Sequence, residues 1–334
     1  MSSLPSLKGS IACITGASGF IGGILADALA DLGCEVRILA RPTSDLQWID
    51  RKRIRVFIGD LTGEIPEDWI QGAHYVFHCA GLTKAKTRAD FFRGNAEACD
   101  KLFALCSRHA GDLKKIVHLS SLAAVGPATP ESPADETTPC QPVTHYGQSK
   151  WKGEQIALRW ADTLPIVILR PPIVYGPREK NFFTFIQSLA KGWNIQIGRA
   201  SKRFSMIHVA DLTRAMILAA LAPAHQDKVW FVTDGGAHSW DDIATAALKN
   251  LNRPARKITI PESALTGVAI LTEAIYLFRK DAPLLDRQRM IDIRQSCWVA
   301  SPNKFFKQFA FSPQYPLESG LLHAISWYRD NHWL

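Results

Sequence analysis

IACITGASGFIGGILADALADLG, residues 11–33, is the stretch that decides the fold. Ile11 to Thr15 is a short apolar run of the kind that a parallel sheet buries on both faces. It leads directly into Gly16-Ala17-Ser18-Gly19-Phe20-Ile21-Gly22, and Ile24 to Leu32 then reads as a helix ending at Gly33. A strand, a glycine turn and a helix in this order are what a dinucleotide site requires. Gly16 permits the tight turn, Gly19 lets the backbone approach a pyrophosphate, and Gly22 allows close packing of a helix whose N-terminus faces the anion.

The second strand, Glu35 to Ala40, bears on the cofactor. NAD sites usually end this strand with an acid that hydrogen-bonds the ribose 2′-hydroxyl. Here Ala40 is followed by Arg41, with Thr43 and Ser44 beyond. A guanidinium with no carboxylate opposing it suits a 2′-phosphate, so NADP(H) is expected over NAD(H), which the site would still admit. Strand three, Ile54 to Ile58, ends in Gly59-Asp60-Leu61, and strand four, Tyr75 to His78, runs into Cys79-Ala80-Gly81. Both ends fall at the carboxyl edge of the sheet, where such folds place their ligands. Asp60 is suited either to accept from an adenine amino group or to cap a helix.

Phe91 to His109 reads as a helix with Asn95 near its start, and Ile116 to Leu119 as strand five, which delivers Ser120 and Ser121 to the same edge. The proline-rich loop from Pro127 to Val143 leads to Tyr146-Gly-Gln-Ser-Lys150. Residues four apart on a helix share a face, so the phenol and the ammonium stand side by side. The cation is expected to draw the Tyr146 pKa down from its usual value of about 10, which makes the phenol an acid/base group.

Strand six, Ile166 to Leu169, is followed by Arg170-Pro171-Pro172-Ile173-Val174-Tyr175-Gly176-Pro177, after which the alternation becomes irregular. Helices are expected over 181–191 and 240–251, a short strand at 195–197, another helix ending at Leu221, a last sheet strand over 229–233, and mostly helix from Glu262 onward. Residues 1–175, with 205–235 returning to them, form the expected nucleotide-binding domain. Residues 176–204 and 236–334 form a substrate lobe over the sheet edge.

Composition is that of a soluble chain with a sizeable core: 334 residues, 47% apolar, 21% charged. The net charge of +8 is densest at Arg51-Lys52-Arg53, which reads as a solvated turn, so no nucleic acid is expected. Seven scattered cysteines without metal spacing read as reduced thiols in a cytoplasmic compartment, and no metal is expected. One lysine, one proline and no long apolar run before the first strand predict no signal peptide. Ala264 to Phe278, with Glu273 inside it and Arg279 and Lys280 behind it, is too short to span a bilayer and allows at most peripheral membrane contact.

Taken together, TGASGFIG at 15–22, GDL at 59–61, HCAG at 78–81, SSLAAVGP at 120–127, YGQSK at 146–150, LRPPIVYGP at 169–177 and IHVADL at 207–212 resemble the extended short-chain dehydrogenase/reductase superfamily over nearly the whole chain. The resemblance implies an α/β, Rossmann-type doubly wound parallel sheet with a smaller, mostly helical C-terminal lobe. It places the catalytic set on Ser121, Tyr146 and Lys150. The cofactor-lining residues become Gly16, Ser18, Gly19, Phe20, Ile21, Arg41, Asp60, Leu61, Ala80, Asn95, Tyr146, Lys150 and Pro172. It also implies a homodimer through helices near 91–109 and 146–160. Sugar-nucleotide members commonly carry an asparagine where this chain has Ile173 and a tyrosine where it has Val125. The pattern is nearer to the 3β-hydroxysteroid dehydrogenase and dihydroflavonol reductase branch, which points to an alcohol or ketone on a hydrophobic small molecule of steroid, flavonoid or polyketide type as substrate. Arg199, Lys202 and Arg203 suit the alternative, a diphosphate clamp in a nucleotide-sugar epimerase or dehydratase. His208 reads as structural.

Overall fold

The apolar runs of the first half become strands that only a two-sided burial explains. The computed structural model describes residues 4–198, 202–223, 226–276 and 287–334. In chain order the strands are β1 (Ile11–Thr15), β2 (Glu35–Ala40), β3 (Ile54–Ile58), β4 (Tyr75–His78), β5 (Lys115–Leu119), β6 (Ile166–Arg170), β7 (Ile173–Tyr175), β8 (Trp193–Ile197), β9 (Arg203–Phe204), β10 (Met206–His208), β11 (Val229–Phe231), β12 (Arg256–Ile260) and β13 (Cys297–Trp298). The helices are α1 (Phe20–Asp31), α2 (Arg88–Phe92), α3 (Ala98–His109), α4 (His145–Trp160), α5 (Lys180–Ala190), α6 (Val209–Leu221), α7 (Trp240–Leu251), α8 (Glu262–Tyr276), α9 (Arg287–Arg294), α10 (Asn303–Gln308) and α11 (Leu317–Asp330).

Seven strands form one parallel sheet in the order β11-β6-β5-β4-β1-β2-β3. The order reverses between β1 and β4, the switch point at which a doubly wound sheet opens a crevice at its carboxyl edge. One apolar layer packs Leu25, Leu29, Leu212 and Met216 against one face, and another packs Leu102, Phe103 and Ile156 against the opposite face. The third cluster, around Tyr175, Phe182, Ile243 and Tyr328, is the core of the C-terminal lobe. No helix among the described residues is long and apolar enough to cross a membrane.

Three local departures have physical causes. Helix α1 begins at Phe20 rather than Ile24, taking in two glycines that are poor helix formers. A Cβ at Gly22 would stand 2.5 Å from the Gly16 carbonyl oxygen, so glycine is the side chain that lets the helix close on the turn. The expected helix from Phe91 to His109 is interrupted by a π-turn at Arg93–Glu97. There Gly153 of α4 packs on the Asn95 carbonyl so tightly that a Cβ would approach it to 2.4 Å. Strands β7 and β12 lie in stretches that read as loop, because each pairs with a single distant partner, β10 and β8 respectively. The candidate helix from Ala264 begins at Glu262 and is described to Tyr276; Phe278, Arg279 and Lys280 lie outside the described residues.

Among the described residues three histidines are fully buried, His78 and His118 on the central strands and His208 at the start of α6. Burial is the main cause that brings His78 and His208 down to about 3 and His118 well below its ordinary value. The unfolded chain therefore binds more protons than the folded one between about pH 3 and 6.5, and stability rises with pH across that window. The urea midpoint should fall as pH drops from 7 to 5, each ring contributing up to about 1.4 kcal/mol per pH unit. An unchanged midpoint would show that the rings do not stay neutral.

Candidate active site

The glycine turn forms a cradle that side chains would fill. Gly16 has φ +76°, and a Cβ there would lie 2.6 Å from the Ala80 nitrogen, so the end of β4 sits directly against the turn. Gly19 caps α1 without any side-chain bond, and the first turn carries no acid. The leading N–H groups of α1 are thus left for an anion. Ser18 is exposed on this turn, with Phe20 and Ile21 half-buried behind it. Arg41 is exposed at the end of β2 and donates its backbone N–H to Ser44 Oγ at 3.1 Å. Asp60 Oδ1 accepts from the Thr62 N–H at 2.8 Å and from the Thr62 hydroxyl at 2.9 Å. These Thr62 bonds, helped by the charges of Arg41 and Lys101, hold the carboxyl below its usual range. A carboxylate therefore does stand within the field of Arg41, contrary to expectation, because the turn after β3 folds back toward the end of β2. Leu61 is buried beside it.

The two serines at the end of β5 have separate tasks. Buried Ser120 hydrogen-bonds the Glu154 carboxylate, which also receives Arg170 Nε at 2.9 Å and Nη2 at 2.6 Å. Ser121 Oγ accepts from the Ala123 N–H at 3.1 Å, and its hydroxyl stands near enough to the Tyr146 phenol to act on it. Helix α4 is capped by Thr144, whose hydroxyl accepts from Gly147 N–H at 3.2 Å. A Cβ at Gly147 would come within 2.3 Å of the Ala123 carbonyl oxygen. This glycine is what allows α4 to press Tyr146 against the Ser121 turn.

Lys150 is buried and donates to the Leu119 carbonyl at 2.7 Å. Burial lowers its pKa, while burial pushes the Tyr146 phenol up and the neighbouring Ser121 hydroxyl pulls it partly back. The expected lowering of Tyr146 by Lys150 is absent here, since the ammonium is directed into the sheet end. Asn95 is held inside the π-turn: its Oδ1 accepts from Leu82 N–H at 2.6 Å and its Nδ2 donates to Ser149 Oγ at 2.9 Å. The loop after β4 and helix α4 are thereby tied together. Pro172 is half-buried between β6 and β7, next to Ile173.

Several participants carried no signal in the sequence. Glu154 lies on α4 four residues past Lys150, and only the fold shows that it is buried against Arg170. Gln288 of α9 accepts from the His145 N–H at 2.9 Å, so a helix of the lobe touches the start of α4. Charges of Asp292 and Arg289 on the same helix reach the Tyr146 phenol. Of the basic cluster, Arg199 lies outside the described residues, and Lys202 is paired with Glu262 at 2.8 Å. Arg203 stands in the field of Asp241 and Asp242. His208 Nδ1 accepts from the Ala210 N–H at 3.2 Å and its ring stacks on Tyr315 at 4.3 Å. The fold also gathers His78, Cys99 and His118 with their potential ligand atoms within 4.8 Å, a grouping that sequence spacing hides. The Lys150 ammonium lies close enough to depress both rings, and burial keeps the Cys99 thiol protonated, its pKa near 12. Both effects oppose a cation at that point.

A glycine cradle at the switch point, facing a Ser121-Tyr146 pair over a buried lysine, defines an NAD(P)-dependent enzyme of the extended short-chain dehydrogenase/reductase type. The chain belongs to the NAD dependent epimerase/dehydratase family, whose sequence model matches residues 12–232. It is similar to the ceramide reductase of Caulobacter vibrioides, with 27% identity over 97% of this chain and 96% of that protein. It is similar, too, to the 4-hydroxy-2-methyl-3-oxo-4-farnesyl-3,4-dihydroquinoline-1-oxide ketoreductase of Stigmatella aurantiaca, 27% identical over 79% of this chain and 80% of the relative. Among solved structures, UDP-glucuronic acid 4-epimerase from Bacillus cereus in complex with NAD shares the fold, with TM-score 0.78 and 20% identity over 96% of this chain and 99% of the other.

Removing one partner of the Glu154–Arg170 pair leaves a charge buried and unmatched. Glu154→Ala should lower unfolding stability by about 3–5 kcal/mol in urea titrations. A loss below about 1 kcal/mol, the scale of a surface pair, would show that water reaches Arg170.

Proposed function

We propose that the protein is an NADP(H)-dependent oxidoreductase that interconverts an alcohol and a ketone on a hydrophobic substrate. The observation that carries this reading is the Tyr146 phenol brought beside Ser121 by the close approach of Gly147 to Ala123, with Lys150 buried one turn further along α4. The cradle formed by Gly16, Gly19 and the open end of α1 fits a pyrophosphate, since no Cβ would be tolerated at Gly16 or Gly22. Gly16, Ser18, Gly19, Phe20 and Ile21 would hold the phosphates, Arg41 the 2′-phosphate, Asp60 and Leu61 the adenine side, and Ala80 and Pro172 the nicotinamide half. When bound, the cofactor supplies the hydride.

The chain's own groups handle the proton. Ser121 holds the substrate oxygen, and Tyr146 exchanges a proton with it. Because burial raises the phenol, Tyr146 is protonated at neutral pH and stands ready as a donor, which suits carbonyl reduction. Lys150, anchored at the Leu119 carbonyl, is placed to hold the nicotinamide ribose. Of the basic residues that would form a diphosphate clamp, Lys202 is matched by Glu262, and Arg203 lies in the field of Asp241 and Asp242. Ile173, half-buried beside Pro172, is instead apolar, while Phe182, Phe183 and Phe185 belong to the core of the lobe. The two reductases that resemble the chain are named for substrates with long hydrocarbon parts, which supports the same reading.

Purified protein with NADPH and a panel of long-chain and polycyclic ketones should show net loss of nicotinamide absorbance. Conversion of a UDP or dTDP sugar without net absorbance change would overturn the reading in favour of epimerase or dehydratase chemistry. Tyr146→Phe should lower turnover by at least about a hundredfold while cofactor binding, read by fluorescence, stays near the native value. Unchanged turnover would remove Tyr146 from its role. Arg41→Ala should weaken NADPH by about tenfold or more and NADH little, whereas equal losses would assign Arg41 to the adenine rather than a phosphate.

A further inference from the structure

Strands β8 and β12 pair in parallel, with Trp193 beside Arg256, Ile195 beside Ile258 and Ile197 beside Ile260. Residues in register on parallel strands share a face. One side of this small sheet therefore carries a tryptophan, four isoleucines and an arginine. That side is the outward one: Trp193 is 45% exposed, Ile195 43% and Ile258 38%. The inward side is polar, with Asn194 and Gln196 buried. Gln196 and Lys257 both donate to Asp241 Oδ1 at 2.7 Å. An ordinary half-buried sheet places its apolar face on the core and its polar face in water, and this one is reversed.

Exposed cations flank the reversed face. Lys191, Arg253 and Arg256 make no salt bridge among the described residues. Two acids close to these strands are paired, Asp241 with Lys257 and Glu262 with Lys202. Helix α8 follows β12 after Pro261 alone. Contiguous exposed apolar groups of this kind mark an interaction surface. A second copy of the chain docked on the same patch would bring arginines and lysines toward their own counterparts, since a two-fold contact is self-complementary. An anionic lipid surface meets both requirements at once: the tryptophan and isoleucines enter the headgroup boundary, and the cations meet phosphate.

We propose that the outward face of the β8–β12 sheet docks this protein on anionic lipid bilayers. This inference stands apart from the proposed chemistry and does not require it. The full chain should float with phosphatidylcholine vesicles containing phosphatidylglycerol, bind phosphatidylcholine alone much less, and be released by salt. W193S/I195S should reduce binding to the anionic vesicles by about tenfold or more, with an unchanged circular dichroism spectrum, because the positions are exposed. As an independent variant, R253E/R256E should lose the preference for anionic over neutral vesicles. Failure of the native chain to bind, or binding that neither variant alters, would overturn the proposal. So would concentration-dependent dimerisation, measured by light scattering, that W193S/I195S abolishes while vesicles recover no protein.

Discussion

The buried pair of Glu154 and Arg170 is the interaction on which the site depends. It joins α4 to the end of β6, and through Ser120 it also reaches the end of β5. Two ions taken out of water are stabilising only where geometry is close and further bonds satisfy the remaining atoms. Here the carboxylate receives two guanidinium nitrogens and a hydroxyl. The consequence is positional: with Ser120 spent below, Ser121 is the serine left to meet Tyr146, and the face of α4 that bears Lys150 is fixed against the sheet edge.

Glycines supply the complementary constraint. Four close approaches, Gly16 to Ala80, Gly22 to Gly16, Gly147 to Ala123 and Gly153 to Asn95, bring backbone against backbone at separations no Cβ would survive. Each joins elements that the site must hold together: the cradle to β4, α1 to its own turn, α4 to the Ser121 turn, and α4 to the π-turn. The interior is assembled by what these positions lack, and the ion pair fixes what remains.

The sequence made much of this legible because the sheet strands are short apolar runs with turn signals at their ends, and because the motif residues cluster at one edge. β1 to β6 and α4 follow their expected bounds closely. The π-turn was hidden, since it arises from packing of Gly153 on Asn95, a contact between residues far apart in the chain. Gln288 of α9 and the His78, Cys99 and His118 grouping were hidden for the same reason. The balance of charge at Lys202 and Arg203 was likewise invisible, because it rests on Glu262, Asp241 and Asp242, carried by elements from later in the chain. The reversed sheet is the sharpest case. WNIQI and RKITI alternate as any amphipathic strand does, and alternation alone cannot tell which face meets the core.

The opposite pKa shifts of Tyr146 and Lys150 share one origin. Burial disfavours the charged form of either group, so it raises the phenol and lowers the ammonium. A neutral phenol and a weakened ammonium are therefore the states this interior favours, and an anion arriving at the sheet edge would restore the charged lysine, which its hydrogen bond to the Leu119 carbonyl fixes at the end of β5.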